Sequence, residues 1–129
     1  MEIIIRGLHI RNKKNNMRVG KRKVFKSPEV RDYEQDLHDE IMAQYRGPVL
    51  EGPVSVLLEI TQPDKRRRDA HNAVDCILDV MQDVLIKDDA NVHDLRVKKF
   101  FGKEWCLRIV VEPIAEVITL PFLAPCRAS

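Results

Sequence analysis

The chain is poor in cysteine and aromatic residues and has no long apolar run. Each scarcity narrows what it can be. Its three cysteines, Cys76, Cys106 and Cys126, are an odd number with no C-x-x-C pair. They define neither a disulfide framework nor a zinc knuckle, and they fit a reducing cytoplasm. No stretch approaches the roughly 18 apolar residues of a membrane span, and the N-terminus lacks a signal-peptide core. The expectation is a soluble, cytoplasmic protein that meets no membrane. Aromatic residues are only 5% of the chain: Tyr33, Tyr45, Trp105 and four phenylalanines. Few rings are therefore on offer for stacking on bases, so backbone contact should dominate any nucleic-acid binding. What the sequence does have is 44% hydrophobic and 33% charged residues over 129 positions. That is enough for one packed domain and too little for two.

The net charge of +2 hides a strong polarity. Residues 1–32 hold ten basic side chains against three acidic ones, a balance of +7, whereas residues 69–94 hold seven aspartates against Lys87 alone, a balance of −6. Between these segments lies Lys65-Arg66-Arg67-Arg68, directly before Asp69. Such a run grips phosphates through charge-assisted hydrogen bonds. A ligand that bridges both signs must be a polyanion that also carries metal ions, and DNA or RNA is the economical candidate. The basic segment 9–26, with Lys13, Lys14, Arg18, Lys21, Arg22 and Lys23, extends the positive reach. Its turn signals Asn15-Asn16 and Gly20 make it a flexible loop or a two-stranded ribbon.

Periodicity predicts the remaining elements. Three isoleucines at 3–5 read as a buried strand ending at Gly7. Ser27-Pro28 opens a helix whose apolar positions Val30, Tyr33, Leu37 and Ile41 run to about Tyr45. Val54, Val56, Leu58 and Ile60 alternate as a second strand. A second helix spans Asn72 to just before Asp88 on the spacing Ala73, Ile77, Val80, Val84. Val92–Phe101 and the alternation Trp105, Leu107, Ile109, Val111 read as a hairpin turned at Gly102-Lys103. The expected fold is α+β, a small mixed sheet with two main helices in the order β-α-β-α-β-β. It occupies residues 1–114, and an apolar tail at 115–129 is suited to packing on a partner subunit.

Asp69, His71 and Asn72 stand where the second helix begins, and Asp88-Asp89 stand just past its end. Paired carboxylates suit Mg²⁺, which takes one or two of them beside phosphate oxygens. Two such ions activate water and neutralise the leaving oxygen in phosphodiester cleavage. A helix of about 14 residues is roughly 20 Å long, so acids at its two ends cannot share an ion unless loops fold back. Single aspartates are equally ordinary caps, and Asp75, Asp79 and Asp83 form one stripe that a solvated face explains.

The ordered string Pro63-Asp64-Lys65-Arg66-Arg67-Arg68-Asp69-Ala70-His71-Asn72, then Asp79, then Lys87-Asp88-Asp89 and the strand after Val92, resembles the RusA-type Holliday-junction resolvases. These are small phage-associated endonucleases that cut four-way DNA junctions. The likeness covers roughly Asn15 to Glu112. It implies a homodimer with its acidic cluster at the subunit interface, no organic cofactor, and Mg²⁺ or Mn²⁺ as cofactor. It implies catalytic roles for Asp69, Asp89, His71 and Lys87, and metal binding by Asp69, His71, Asp88 and Asp89. DNA binding then falls to Lys65–Arg68 and the basic segment, with branched DNA as partner and recombination and repair as context. Two positions depart from the family pattern. His71 stands where a third aspartate is expected, and Asp75 replaces a lysine, so Lys87 or Arg68 would have to supply that cation. The alternatives are a junction-binding protein of the same fold with weakened catalysis, and a hydrolase for smaller phosphate substrates.

Overall fold

The structure is a computed structural model. It describes residues 1–11, 17–19, 24–26, 28–68 and 70–115, with the side chains of 17–19, 24–26 and 70–72 outside that description. The apolar tail expected to pack on a partner subunit lies outside the described residues from Glu116 onward.

The elements are β1 (Glu2–Arg6), β2 (Met17–Val19), β3 (Val24–Lys26), α1 (Pro28–Gln44), β4 (Val54–Gln62), α2 (Ala70–Met81), a short 3-10 turn at Asp89–Asn91, β5 (Val92–Phe101) and β6 (Cys106–Pro113). β2 and β3 pair as an antiparallel ribbon of their own, the second of the two forms expected for the basic segment. The main sheet has the order β1-β6-β4-β5. β4 is its axis, antiparallel to β6 and parallel to β5. Its side chains alternate strictly, with Val54, Val56, Leu58, Ile60 and Gln62 buried. The four apolar ones meet Ile3 and Ile5 of β1, Leu107, Ile109 and Val111 of β6, and the inner stripe of α1 at Tyr33, Leu37 and Ile41 in one core. The three isoleucines of β1 are thus a half-buried strand. Ile3 and Ile5 face in, while Ile4 is exposed, because successive side chains point to opposite faces.

Two expectations are corrected. β5 and β6 form no hairpin. The parallel pairing of β4 and β5 needs a crossover, which α2 supplies, and the chain then steps over the end of β4 to reach β6 on its other side. Residues 102–105 cover the roughly 9.6 Å between strands two places apart. The step presses on β4: the Gly102 amide donates to the Gln62 carbonyl at 2.9 Å, and a Cβ at Gly102 would lie 2.6 Å from Thr61 Cγ2. The second helix is also shorter than its periodicity predicts. It stops at Met81, and Asp83 takes a left-handed φ of 64°. Leu85 and Ile86 nevertheless stay buried, because residues around Leu50 hold them. Leu50 N–H donates to the Leu85 carbonyl at 2.8 Å, and Lys87 N–H to the Leu50 carbonyl at 3.0 Å.

The two outer strands of the sheet are treated differently. The β1 edge is closed by a side chain: Gln44, the last residue of α1, donates to the Ile4 carbonyl at 2.7 Å and accepts from its N–H at 3.0 Å. β5 has β4 on one side only, and it is exposed along nearly its whole length. Its Leu95, Val97, Lys99 and Phe101 sit in register with the buried residues of β4, on the face that the helices cover elsewhere. Leu95, Val97 and Phe101 are nonetheless exposed.

Candidate active site

The loop from Pro63 to Arg68 is set from beneath by Gln62, the one buried polar residue among those described. Its Nε2 donates to the carbonyls of Asp64 and Arg66, both at 2.7 Å. Asp64 then accepts from the Arg66 N–H at 3.0 Å and from the Arg68 guanidinium at 2.6 and 3.2 Å. The Arg68 guanidinium lies 4.8 Å from the centre of the Trp105 ring, and His9 stacks on that ring at 4.8 Å. The hydrogen bonds to Arg68, with the Arg66 N–H next, hold the Asp64 carboxyl below its ordinary 3.8. His9 is held below 6.5 by its burial and by the charges of Arg11 and Arg68. From β5, Lys99 Nζ donates to the Arg68 carbonyl at 2.7 Å, which fixes the backbone just before residue 69.

The four basic residues therefore divide. Lys65, Arg66 and Arg67 are exposed, whereas Arg68 is half-buried and paired with Asp64. Asp69 itself lies outside the described residues, and His71 is placed only as the second residue of α2. Lys13, Lys14, Lys21, Arg22 and Lys23 also lie outside them, and Arg18 is the middle residue of β2.

The opposite end of α2 carries the acids. Asp88 caps the 3-10 turn, its carboxylate accepting from the Ala90 N–H at 2.9 Å. Asp89 follows, exposed, and with the Gln82 amide nitrogen turned toward it the two lie 3.2 Å apart. Hydrogen bonding with the Asp88 carboxyl, then desolvation, then the negative charges of Asp88 and Asp79 push Asp89 above its ordinary 3.8. A carboxyl pushed above its ordinary range by a neighbouring carboxyl is one that a divalent cation would relieve, and oxygen-only donors suit Mg²⁺ or Mn²⁺. Among the described residues, however, no three acids, histidines or cysteines come close enough to hold an ion. Lys87 is exposed beside the pair.

Among the described residues these two ends stay apart. Asp89 lies beside Asp79 and Gln82, about ten residues along α2 from its start, or some 15 Å at 1.5 Å per residue. β5 spans the same gap, starting after Asp89 and ending beside Gln62 and the basic loop. Sequence reasoning gives Gln62, Lys99, Trp105 and His9 no part in the site. A lone glutamine closing an apolar alternation is a detectable signal, but the register that brings Lys99 to Arg68 is not.

A mixed sheet whose crossover helix has a basic loop at one end and paired acids near the other defines the chain as a small α+β domain. Residues 10–112 match the family described as endodeoxyribonuclease RusA, and the chain belongs to that family. It is 30% identical over 82 residues to the crossover junction endodeoxyribonuclease RusA of Aquifex aeolicus (strain VF5). That match takes in 63% of this chain and 65% of the relative, so it spans somewhat under two thirds of the relative's length. Among the described residues no helix is long and apolar enough to cross a membrane.

Proposed function

We propose that this protein is a divalent-metal-dependent endodeoxyribonuclease that resolves four-way DNA junctions in recombination and repair, and that its active site is completed by a second copy. One observation carries the dimeric part. β5 offers an open edge and an apolar inner stripe, while the other edge is closed by Gln44. Antiparallel pairing of β5 with its copy about a twofold axis sets the start of one strand against the end of the other. Asp88 and Asp89 of one protomer then face the loop of its partner that leads into Asp69. Acids separated by the length of α2 in one chain thereby converge at the seam, and the dimer carries two such sites for a symmetric junction.

Asp69, Asp89, Asp88 and His71 would hold the metal, whose chemistry is to lower the pKa of a bound water and to neutralise charge on the leaving oxygen. The chain's own residues bind and orient. Lys65, Arg66 and Arg67 face solvent on a loop that Gln62 holds in one shape, and they grip phosphates. Arg18 and the other basic residues of segment 9–26 add to that grip. Arg68 is held by Asp64 and Trp105 and presents the backbone of the loop more than a free charge. Lys87, free of the Asp64 clamp and next to Asp88, is the cation placed to stand in for the lysine that Asp75 replaces.

The test is cleavage of a synthetic four-way junction and of linear duplex, with Mg²⁺ and then Mn²⁺, by wild type and by Asp69→Asn. Metal-dependent cutting of the junction alone, lost in Asp69→Asn, is expected. Equal cutting of both substrates removes the resolvase reading. Junction binding without cleavage in either metal leaves a binding protein of this fold.

A further inference from the structure

The end of β5 carries two phenylalanines that no element covers. Phe101 is 60% and Phe100 44% exposed, the two most exposed large apolar side chains among the described residues. They sit on opposite faces of the strand, in register with Gln62 and Thr61, so both stand beside the base of the basic loop. Their footing is firm. The Gly102 amide bonds to the Gln62 carbonyl at 2.9 Å, and a Cβ at Gly102 would lie 2.6 Å from Thr61 Cγ2, so a larger residue there would have to displace that side chain. Exposed cations lie close by along the chain: Lys98 and Lys103 within three residues of them, and Lys65, Arg66 and Arg67 in the loop that follows Gln62, the register partner of Phe101.

Leu95 and Val97, mid-strand, belong to the seam between copies, but a protein partner for the strand's end would have to bury five or more positive charges with it. A polynucleotide neutralises those charges and offers unstacked bases to the rings. Rings within a cationic groove are how proteins hold unpaired bases, and apolar wedges are how they open base steps.

We propose that Phe100 and Phe101 form a stacking site for unstacked nucleobases at the branch point of the DNA, and so give the enzyme its preference for branched over linear substrates. This rests on the junction-cutting reading and adds the group that recognises the branch. The sparse aromatic content of the chain is no obstacle, because two rings suffice where they are concentrated at one exposed corner.

The test uses full-length protein, with Ca²⁺ replacing Mg²⁺ to suppress cleavage, and junctions carrying 2-aminopurine at the branch point. Wild type is expected to change the fluorescence of the branch-point base. In Phe101→Ala and Phe100→Ala that change is lost, and junction affinity falls about tenfold while affinity for linear duplex stays within twofold. Phe101→Trp restores both, and Phe101→Leu, which keeps apolar surface without a ring, does not. An unchanged fluorescence response in the alanine variants overturns the proposal, as does equal weakening on junction and duplex. So does a shift to monomer in sedimentation, which would assign the rings to the subunit seam. Junction cleavage in Mg²⁺, measured on the same wild-type preparation, separates the two claims. An active nuclease whose alanine variants keep the wild-type response loses only the stacking site, and an inactive protein that still gives the ring-dependent response loses only the nuclease reading.

Discussion

Replacing Gln62 by methionine keeps nearly the same buried volume and removes both hydrogen bonds that shape the basic loop. Each of those bonds, 2.7 Å from Nε2 to the carbonyls of Asp64 and Arg66, contributes about 0.5–1 kcal/mol net. The loop is exposed, so water can take over the freed carbonyls, and the expected loss is about 1–2 kcal/mol. For 129 residues an unfolding entropy of about 0.27 kcal/mol/K turns this into a fall in Tm of roughly 4–7 °C. The local effect should exceed the global one. Trypsin should cut at Lys65–Arg67 faster in the variant than in wild type under conditions where both are folded, and junction cleavage per folded molecule should drop. Gln62→Glu should be worse, because a carboxylate there faces two carbonyl oxygens with nothing to donate. A methionine variant with unchanged Tm and unchanged tryptic rate would refute the claim that this side chain sets the loop.

Asp89→Asn should raise Tm at neutral pH in chelator. The native carboxyl titrates above its ordinary 3.8, so the stability tied to its protonated form is present below 3.8 and is lost as pH rises through the raised value. The gain should therefore shrink toward acid pH, and Mg²⁺ should stabilise wild type more than the variant, as paired thermal scans would show. Single alanine substitutions at Lys65, Arg66 and Arg67 should weaken junction and duplex alike and lower the slope of log affinity against log salt by about one each. Arg68→Met should behave differently. Its guanidinium is engaged by Asp64 and Trp105, so the salt slope should hardly move while cleavage falls, a contrast that filter-binding at several salt concentrations would show.

Much of this was legible in the residues. The alternation of Val54, Val56, Leu58 and Ile60 marks a strand whose one face is buried, and Ser27-Pro28 with its apolar stripe marks α1, because local periodicity reports directly on which side meets the core. The pairing of strands was not legible. Val92–Phe101 and Cys106–Pro113 look like a hairpin because they are adjacent and joined by a Gly-Lys turn signal. Their separation by β4 follows from the long-range demand of β4 for a partner on each edge. The end of α2 was likewise hidden, since Leu85 keeps helical spacing from Met81 yet is held by a backbone bond to Leu50, far away in sequence. Of the site, the Asp88-Asp89 pair and the exposed basic run stood out by charge alone. The clamp on Arg68 depends on a tertiary contact with Trp105 and could not be read from spacing.

Complementation decides whether each active site draws on two copies, as proposed. Asp69→Asn and Asp89→Asn chains, differently tagged and co-expressed, give a mixed dimer that can be purified away from both parents. If the site spans the seam, one site of the mixed dimer carries both substitutions and the other carries neither, so each parent dimer is inert and the mixed dimer nicks four-way junctions at about half the wild-type rate. A mixed dimer as inert as its parents, beside an active wild type, would place the whole site within one chain and contradict the account.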